Sequence, residues 1–177
     1  ISVTGVQTCA LPICLKAANP APRTELRYSS PFELLVAVVL SAQATDRGVN
    51  LATPALFRDA GTPRLMHSLG VDRLSNYIKT IGLYRSKARH LIETAKMLRE
   101  RHGGELPSTM EELLELPGVG RKTANLVLSA CNGEPGIIVD THVLRVMVRL
   151  GFETKAVPEA VERSIASSLP PEKWTAF

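Results

Sequence analysis

Two side chains have the type and placement for covalent chemistry at a sugar carbon: Lys122 and, eighteen positions later, Asp140. Lys122 falls in the first turn of a predicted helix that leaves the turn Pro117-Gly118-Val119-Gly120. A helix N-terminus presents backbone amides and the positive end of the dipole, which suits a phosphate. A lysine placed there is expected to be partly buried, and both dipole and desolvation favour the neutral amine that attacks carbon. Asp140 is the predicted N-cap of a later helix, where amides and dipole favour the carboxylate. An amine and a fixed carboxylate beside a phosphate-gripping loop suit attack at a sugar carbon within a nucleic acid. The carboxylate would stabilise positive charge on the sugar as the base departs. The amine could then form a Schiff base and permit β-elimination of the 3′ phosphate. Spacing alone leaves a plainer reading open, in which Lys122 contacts phosphate and Asp140 only caps.

Short capped helices must position these groups. Ser108-Thr109-Met110-Glu111 starts a helix read as running to Leu116, where Pro117 stops it for want of an N–H. Gly118 and Gly120 are expected to take the positive φ of a very short hairpin and to leave no side chain before an approaching partner. The second helix of the pair runs from Lys122 to Cys131 and ends at Asn132-Gly133. An extended stretch, GIIVD, leads into the helix DTHVLRVMVRLGF, and a last helix, PEAVERSIASSL, ends at Pro170-Pro171.

Upstream, Ser30 as N-cap, Pro31 at the first helical position and Glu33 as a capping box open the helix PFELLVAVVLSAQA. It is apolar on nearly every side and is therefore predicted to be central. The polar residues at its far end, Ser41, Gln43, Thr45 and Asp46, are caps and turn formers or else face a ligand. Thr53-Pro54 and Thr62-Pro63 predict the starts of two further helices. Ile81, Tyr84, Ala88, Leu91, Ile92, Ala95 and Leu98 recur at helical spacing, with a basic outer face from Arg85 to Arg101 and Gly103-Gly104 as the stop. IGLYRSKA reads like PGVGRKTA, a short internal repeat or a coincidence. No strand pairing is evident, and the fold class predicted is all-α.

The 177 residues suffice for one core or two small lobes, and 45% hydrophobic with 21% charged residues describes a globular protein. A net charge of +4 is compatible with nucleic acid and weak support for it alone. No apolar run reaches the length of a membrane span. Residues 1–14, ISVTGVQTCALPIC, carry no charge and no helical period and resemble a translated sequencing adapter. They are expected to be non-native; a signal peptide would want a basic start and a longer apolar centre. That sets aside Cys9 and Cys14 and leaves Cys131, which alone makes neither a disulfide nor a metal site. His67, His90 and His102 show no ligand spacing.

In combination, LPGVGRKTAN, VDTH, SSPFELLVAVVLSAQATD and YIKTIGLYRSKA resemble the endonuclease III family of helix-hairpin-helix DNA glycosylases, in register from about Pro20 onward. The resemblance implies an all-α, two-lobed fold: a six-helix barrel, residues 30–134, and an incomplete iron-sulfur-type helical lobe, with the DNA cleft between them. Residues 15–29 would be the N-terminal remnant of that second lobe, and residues 135–177 its remainder. It implies a bifunctional glycosylase and abasic-site lyase that removes oxidised pyrimidines from double-stranded DNA, with Lys122 as Schiff-base nucleophile and Asp140 as the carboxylate. Gly118, Val119 and Gly120 would hold the DNA backbone through main-chain groups, with Arg121 and Thr123 nearby and His142 within reach of it. Gln43 and Leu83 match the residues that fill the gap left by the flipped nucleotide. Without the resemblance, a helix-end hydrogen bond for Gln43, core packing for Leu83 and a surface role for His142 serve as well.

The family usually carries a [4Fe-4S] cluster on four closely spaced C-terminal cysteines. None is present here, so the cluster is expected in a full-length protein and not in this fragment, which is read as truncated. The implied enzyme is a monomer, cytoplasmic and nucleoid-associated in a bacterium, with no membrane partner. Adenine glycosylases of the same superfamily are monofunctional and usually lack the nucleophile, so Lys122 argues against them. Pure DNA-binding modules also use the hairpin and remain the rival of a different class.

Overall fold

The computed structural model describes residue 17 and residues 24–133, 136–151, 153–171 and 174. The foreign-looking segment 1–14, with Cys9 and Cys14, lies outside the described residues, as do most of 15–23 and the predicted boundary residues 134 and 135. All regular structure among the described residues is helical. The chain divides into a larger unit, Thr24–Asn132, and a second unit formed by Ile1–Arg23 with Gly133–Phe177.

The larger unit is built around α1 (Pro31–Ser41). Ser30 accepts the Glu33 amide at 3.2 Å, as the capping pattern predicts. The reciprocal bond is displaced by one residue, the Glu33 carboxylate accepting from the Ser29 amide at 2.6 Å. Every side chain from Phe32 to Leu40 is buried, because α1 packs against α2 (Asp46–Ala60), α4 (Tyr84–Arg101) and α6 (Arg121–Asn132). Tertiary packing on all sides overrides the modest helix propensity of its valines. Residues 24–29 join this unit: Leu26 is buried in its core, and the Arg27 amide donates to Asn50 at 2.8 Å.

Several predicted boundaries move. α1 ends at Ser41, and Ser41 and Thr45 are turn formers: Ser41 Oγ donates to the Val38 carbonyl at 3.0 Å, and Thr45 caps α2 by accepting the Gly48 amide. Thr53-Pro54 starts no helix. It lies inside α2, where Thr53 is buried and its hydroxyl donates to the Val49 carbonyl at 3.0 Å. An interior proline removes one helical bond and is tolerated where packing holds the flanking turns. Thr62-Pro63 does open a helix, α3 (Pro63–Tyr77), which kinks at Gly70, φ +76°. α5 (Met110–Leu114) stops two residues before the predicted end and is capped by Thr109.

The second unit contains α7 (Thr141–Arg149) and α8 (Pro158–Ser168), which pack together. Ile137, Val139, Met147, Val161, Ile165 and Leu169 form its small core. The Trp174 indole N–H donates to the Leu169 carbonyl at 2.9 Å, closing over the end of α8.

Candidate active site and nucleic-acid interface

The turn between α5 and α6 is fixed from beneath. The Val119 amide donates to the Leu116 carbonyl at 3.0 Å, closing a four-residue turn. Leu116 and Val119 are both buried. Thr94 of α4, itself buried, donates from its hydroxyl to the Pro117 carbonyl at 3.0 Å. Gly118 has φ +79°, and a Cβ there would stand 3.1 Å from His90 Nδ1. Glycine is required at 118 by both backbone conformation and the close approach of α4. The expectation for Val119 changes accordingly: its side chain anchors the turn and its amide closes it.

Gly120 departs from the expectation in the opposite sense. It is absent from the described positive-φ residues, and a Cβ there would meet nothing within 4 Å. It is exposed, and its carbonyl accepts the Ala124 amide at 2.9 Å, the first bond of α6. The fold makes no demand for glycine here, so the open space faces whatever approaches the helix. Gly118→Ala is expected to cost about 1–2 kcal/mol of stability, measured by thermal or denaturant unfolding. Gly120→Ala should unfold within about 0.5 kcal/mol of the parent yet bind duplex DNA roughly tenfold more weakly. Unfolding curves and fluorescence anisotropy separate the two, and equal losses of stability in both variants would refute the assignment.

Arg121, Lys122 and Thr123 make up the first turn of α6. Arg121 and Lys122 are exposed and Thr123 is half-buried. The partial burial expected of Lys122 is not seen: the residue is exposed.

A second group of residues lies in two loops of the same unit. Gln43 follows the end of α1, and Leu83 immediately precedes α4. They are the two described non-glycine residues with positive φ, +60° and +57°. Gln43 is exposed and Leu83 is 64% exposed, which rules out core packing for Leu83. The loops lie side by side: a Cβ at Gly82 would stand 3.7 Å from the Gln43 carbonyl oxygen. Left-handed backbone in a leucine costs about 1–2 kcal/mol and persists where the surroundings impose it. In the other turn of the proposed repeat, the left-handed residue is Gly118, so IGLYRSKA and PGVGRKTA fold differently.

Sequence reading missed Thr94, His90 and Lys87. Lys87 was placed on the basic outer face of α4, but it is buried, and its ammonium donates to the carbonyls of Leu40 at 2.8 Å and Ala42 at 2.5 Å. Burial pushes its pKa below the usual lysine range. The available signal was positional: Lys87 and Thr94 fall on the stripe of Tyr84, Ala88, Leu91, Ala95 and Leu98.

In the second unit, Asp140 is the N-cap of α7. Its Oδ1 accepts the amides of His142 at 2.8 Å and Val143 at 2.9 Å. The carboxylate is thus held in one orientation by two donors and the helix dipole. His142 is exposed, its Nδ1 3.3 Å from a guanidinium nitrogen of Arg145. Among the described residues no three His, Cys, Asp or Glu side chains converge to hold a metal. Cys131 is a free cysteine, exposed as a residue, and partial desolvation raises its thiol pKa. The described residues do not fit a four-cysteine cluster.

Residues 36–171 match the model of the HhH-GPD superfamily of base excision DNA repair proteins. Over 158 residues the chain is 52% identical to endonuclease III of Haemophilus influenzae and, equally, of Escherichia coli K12, covering 89% of this chain and 75% of each relative. The chain belongs to the endonuclease III family. Endonuclease III of Bacillus subtilis is 46% identical over 157 residues, 88% of this chain and 72% of that relative. A solved endonuclease III–DNA complex, trapped as a covalent intermediate with an estranged adenine, matches with a TM-score of 0.93 and 42% identity. It covers 98% of this chain and 82% of that one. A thermostable thymine-DNA glycosylase shares the fold at 20% identity and a TM-score of 0.79, covering 95% of this chain and 79% of that one. The all-α helix-hairpin-helix fold expected from sequence is the fold of the family.

Proposed function

We infer that this chain is a DNA glycosylase and abasic-site lyase of base excision repair, acting on oxidised pyrimidines in duplex DNA through a lysine Schiff base. The observation that carries the reading is the placement of Lys122, an exposed residue, in the first turn of α6 directly after a glycine turn, in a member of the endonuclease III family. In the proposed reaction Lys122 Nζ, once deprotonated, attacks C1′ of a nucleotide turned out of the stack. The C1′–N bond breaks, and the base leaves with the bonding electrons and takes up a proton. Asp140, fixed by the amides of α7, stabilises the positive charge that develops on the sugar. The nitrogen lone pair then opens the sugar ring: C1′–O4′ breaks, O4′ takes up a proton, and a protonated imine forms at C1′. That imine acidifies C2′, and loss of the C2′ proton expels the 3′ phosphate.

The remaining assignments follow the same logic. Gly118, Gly120 and the first turn of α6, with Arg121 and Thr123, would hold the backbone phosphates. Leu83 would wedge the opened step, and Gln43 would pair with the orphaned base. His142 would extend the backbone contacts from the second unit. The [4Fe-4S] cluster proposed for the full-length protein would be held outside the described residues. A bacterial cytoplasmic, nucleoid-associated location fits this substrate, and no described helix is long and apolar enough to cross a membrane.

Borohydride reduction in the presence of a thymine glycol duplex tests the chemistry. A covalent protein–DNA product is expected, together with a shortened product strand when borohydride is omitted. A folded protein that binds the duplex but gives neither product would sink the lyase reading and leave a monofunctional glycosylase or a binding module.

A further inference from the structure

Lys87 is the buried charge that the chemistry above leaves without a task. It sits in the first turn of α4, and its backbone amide donates to the Leu83 carbonyl at 3.0 Å. Its ammonium reaches across to α1 and donates to the carbonyls of Leu40 and Ala42. Those carbonyls lie at the C-terminal end of α1, where backbone oxygens lack helical partners and the dipole is negative. α1 has no basic residue of its own in its last turn. One residue therefore grips both loops that carry left-handed side chains: Leu83 through its main chain, and the turn holding Gln43 through its side chain. Lys87 is 6% exposed, and a surface lysine would make these bonds poorly against water.

We propose that Lys87 is a positioning residue for base flipping, its ammonium fixing the Gln43 turn against the Leu83 turn so that both side chains enter the duplex in register. The proposal rests on the wedge reading of Gln43 and Leu83 given above. It explains why two strained turns on separate helices are held side by side. Misplacing a reacting or wedging group by about 1 Å can cost as much as a hundredfold in rate. Lys87→Met keeps the length and apolar stem, removes both hydrogen bonds and lets the Gln43 turn relax. The loss should appear only where a stack must be held open.

The test compares strand cleavage at an abasic site in a duplex with cleavage at the same site in a single strand, which has no partner base and little stack to wedge. Both rates come from one preparation of the full chain, so a partly unfolded sample cancels in the ratio. The duplex to single-strand ratio is expected to fall roughly tenfold to a hundredfold in Lys87→Met. It should fall less in Lys87→Gln, which keeps an N–H donor and serves alone if Lys87→Met does not fold. Equal loss on both substrates would make Lys87 a purely structural residue and overturn the proposal, as would an unchanged ratio. Gln43→Ala and Leu83→Ala are measured alongside. A lowered ratio in these two beside a normal one in the Lys87 variants removes the Lys87 assignment alone. A normal ratio in Gln43→Ala and Leu83→Ala removes the wedge reading, and the proposal with it.

Discussion

Lys122→Gln should abolish borohydride trapping and reduce strand cleavage at an abasic site by about 10⁴-fold or more, as expected when a covalent nucleophile is deleted. Glutamine retains an N–H donor of similar reach but cannot form an imine. Because Lys122 is exposed, the substitution should shift the unfolding free energy by no more than about 0.5 kcal/mol. Duplex binding should weaken modestly, with the salt dependence of log K shallower by about one phosphate contact. Such a pattern separates an enzyme from a binding module, in which the same change alters affinity and nothing else. Persistent trapping in the variant would mean that another amine is the nucleophile.

Asp140→Asn is expected to slow base release by about 10²–10³-fold while leaving the protein folded. Asparagine is as good an N-cap as aspartate, so its side-chain oxygen can keep accepting the His142 and Val143 amides. What disappears is the negative charge that would face the sugar as the base departs. Asp140→Ala removes charge and cap together, and should cost about 1 kcal/mol of stability beyond the asparagine variant. The measurement is single-turnover release of thymine glycol from duplex DNA, with thermal unfolding run in parallel. An asparagine variant that keeps the parental rate would reduce Asp140 to a structural cap.

The helix starts were legible because each is a local contract between a side chain and nearby amides. Ser30-Pro31 with Glu33, Thr62-Pro63, Thr109 and Asp140 all cap the helices that their neighbours suggested. The position of Lys122 directly after a proline-glycine turn was equally local. What was not legible depends on neighbours distant in sequence. Pro54 resembles a helix start until the packing of Val49, Thr53 and Leu56 carries α2 through it. Lys87 looks solvated until its partners, more than forty residues earlier, come into view. Nor does a local pattern announce that Leu83 is left-handed. The surroundings of Gly118 and Gly120 differ only in three dimensions, since one is crowded by His90 and the other faces open space.

The backbone at Gln43 and Leu83 also bears on how this protein can be improved. A library selected only for survival at high temperature would favour glycine or asparagine at both positions, because either relaxes a left-handed residue. Under the wedge role proposed for these two residues, the survivors would be poorer at repair, with no defect visible in their melting curves. Thermostable descendants of this chain should therefore be sought with these two positions held constant.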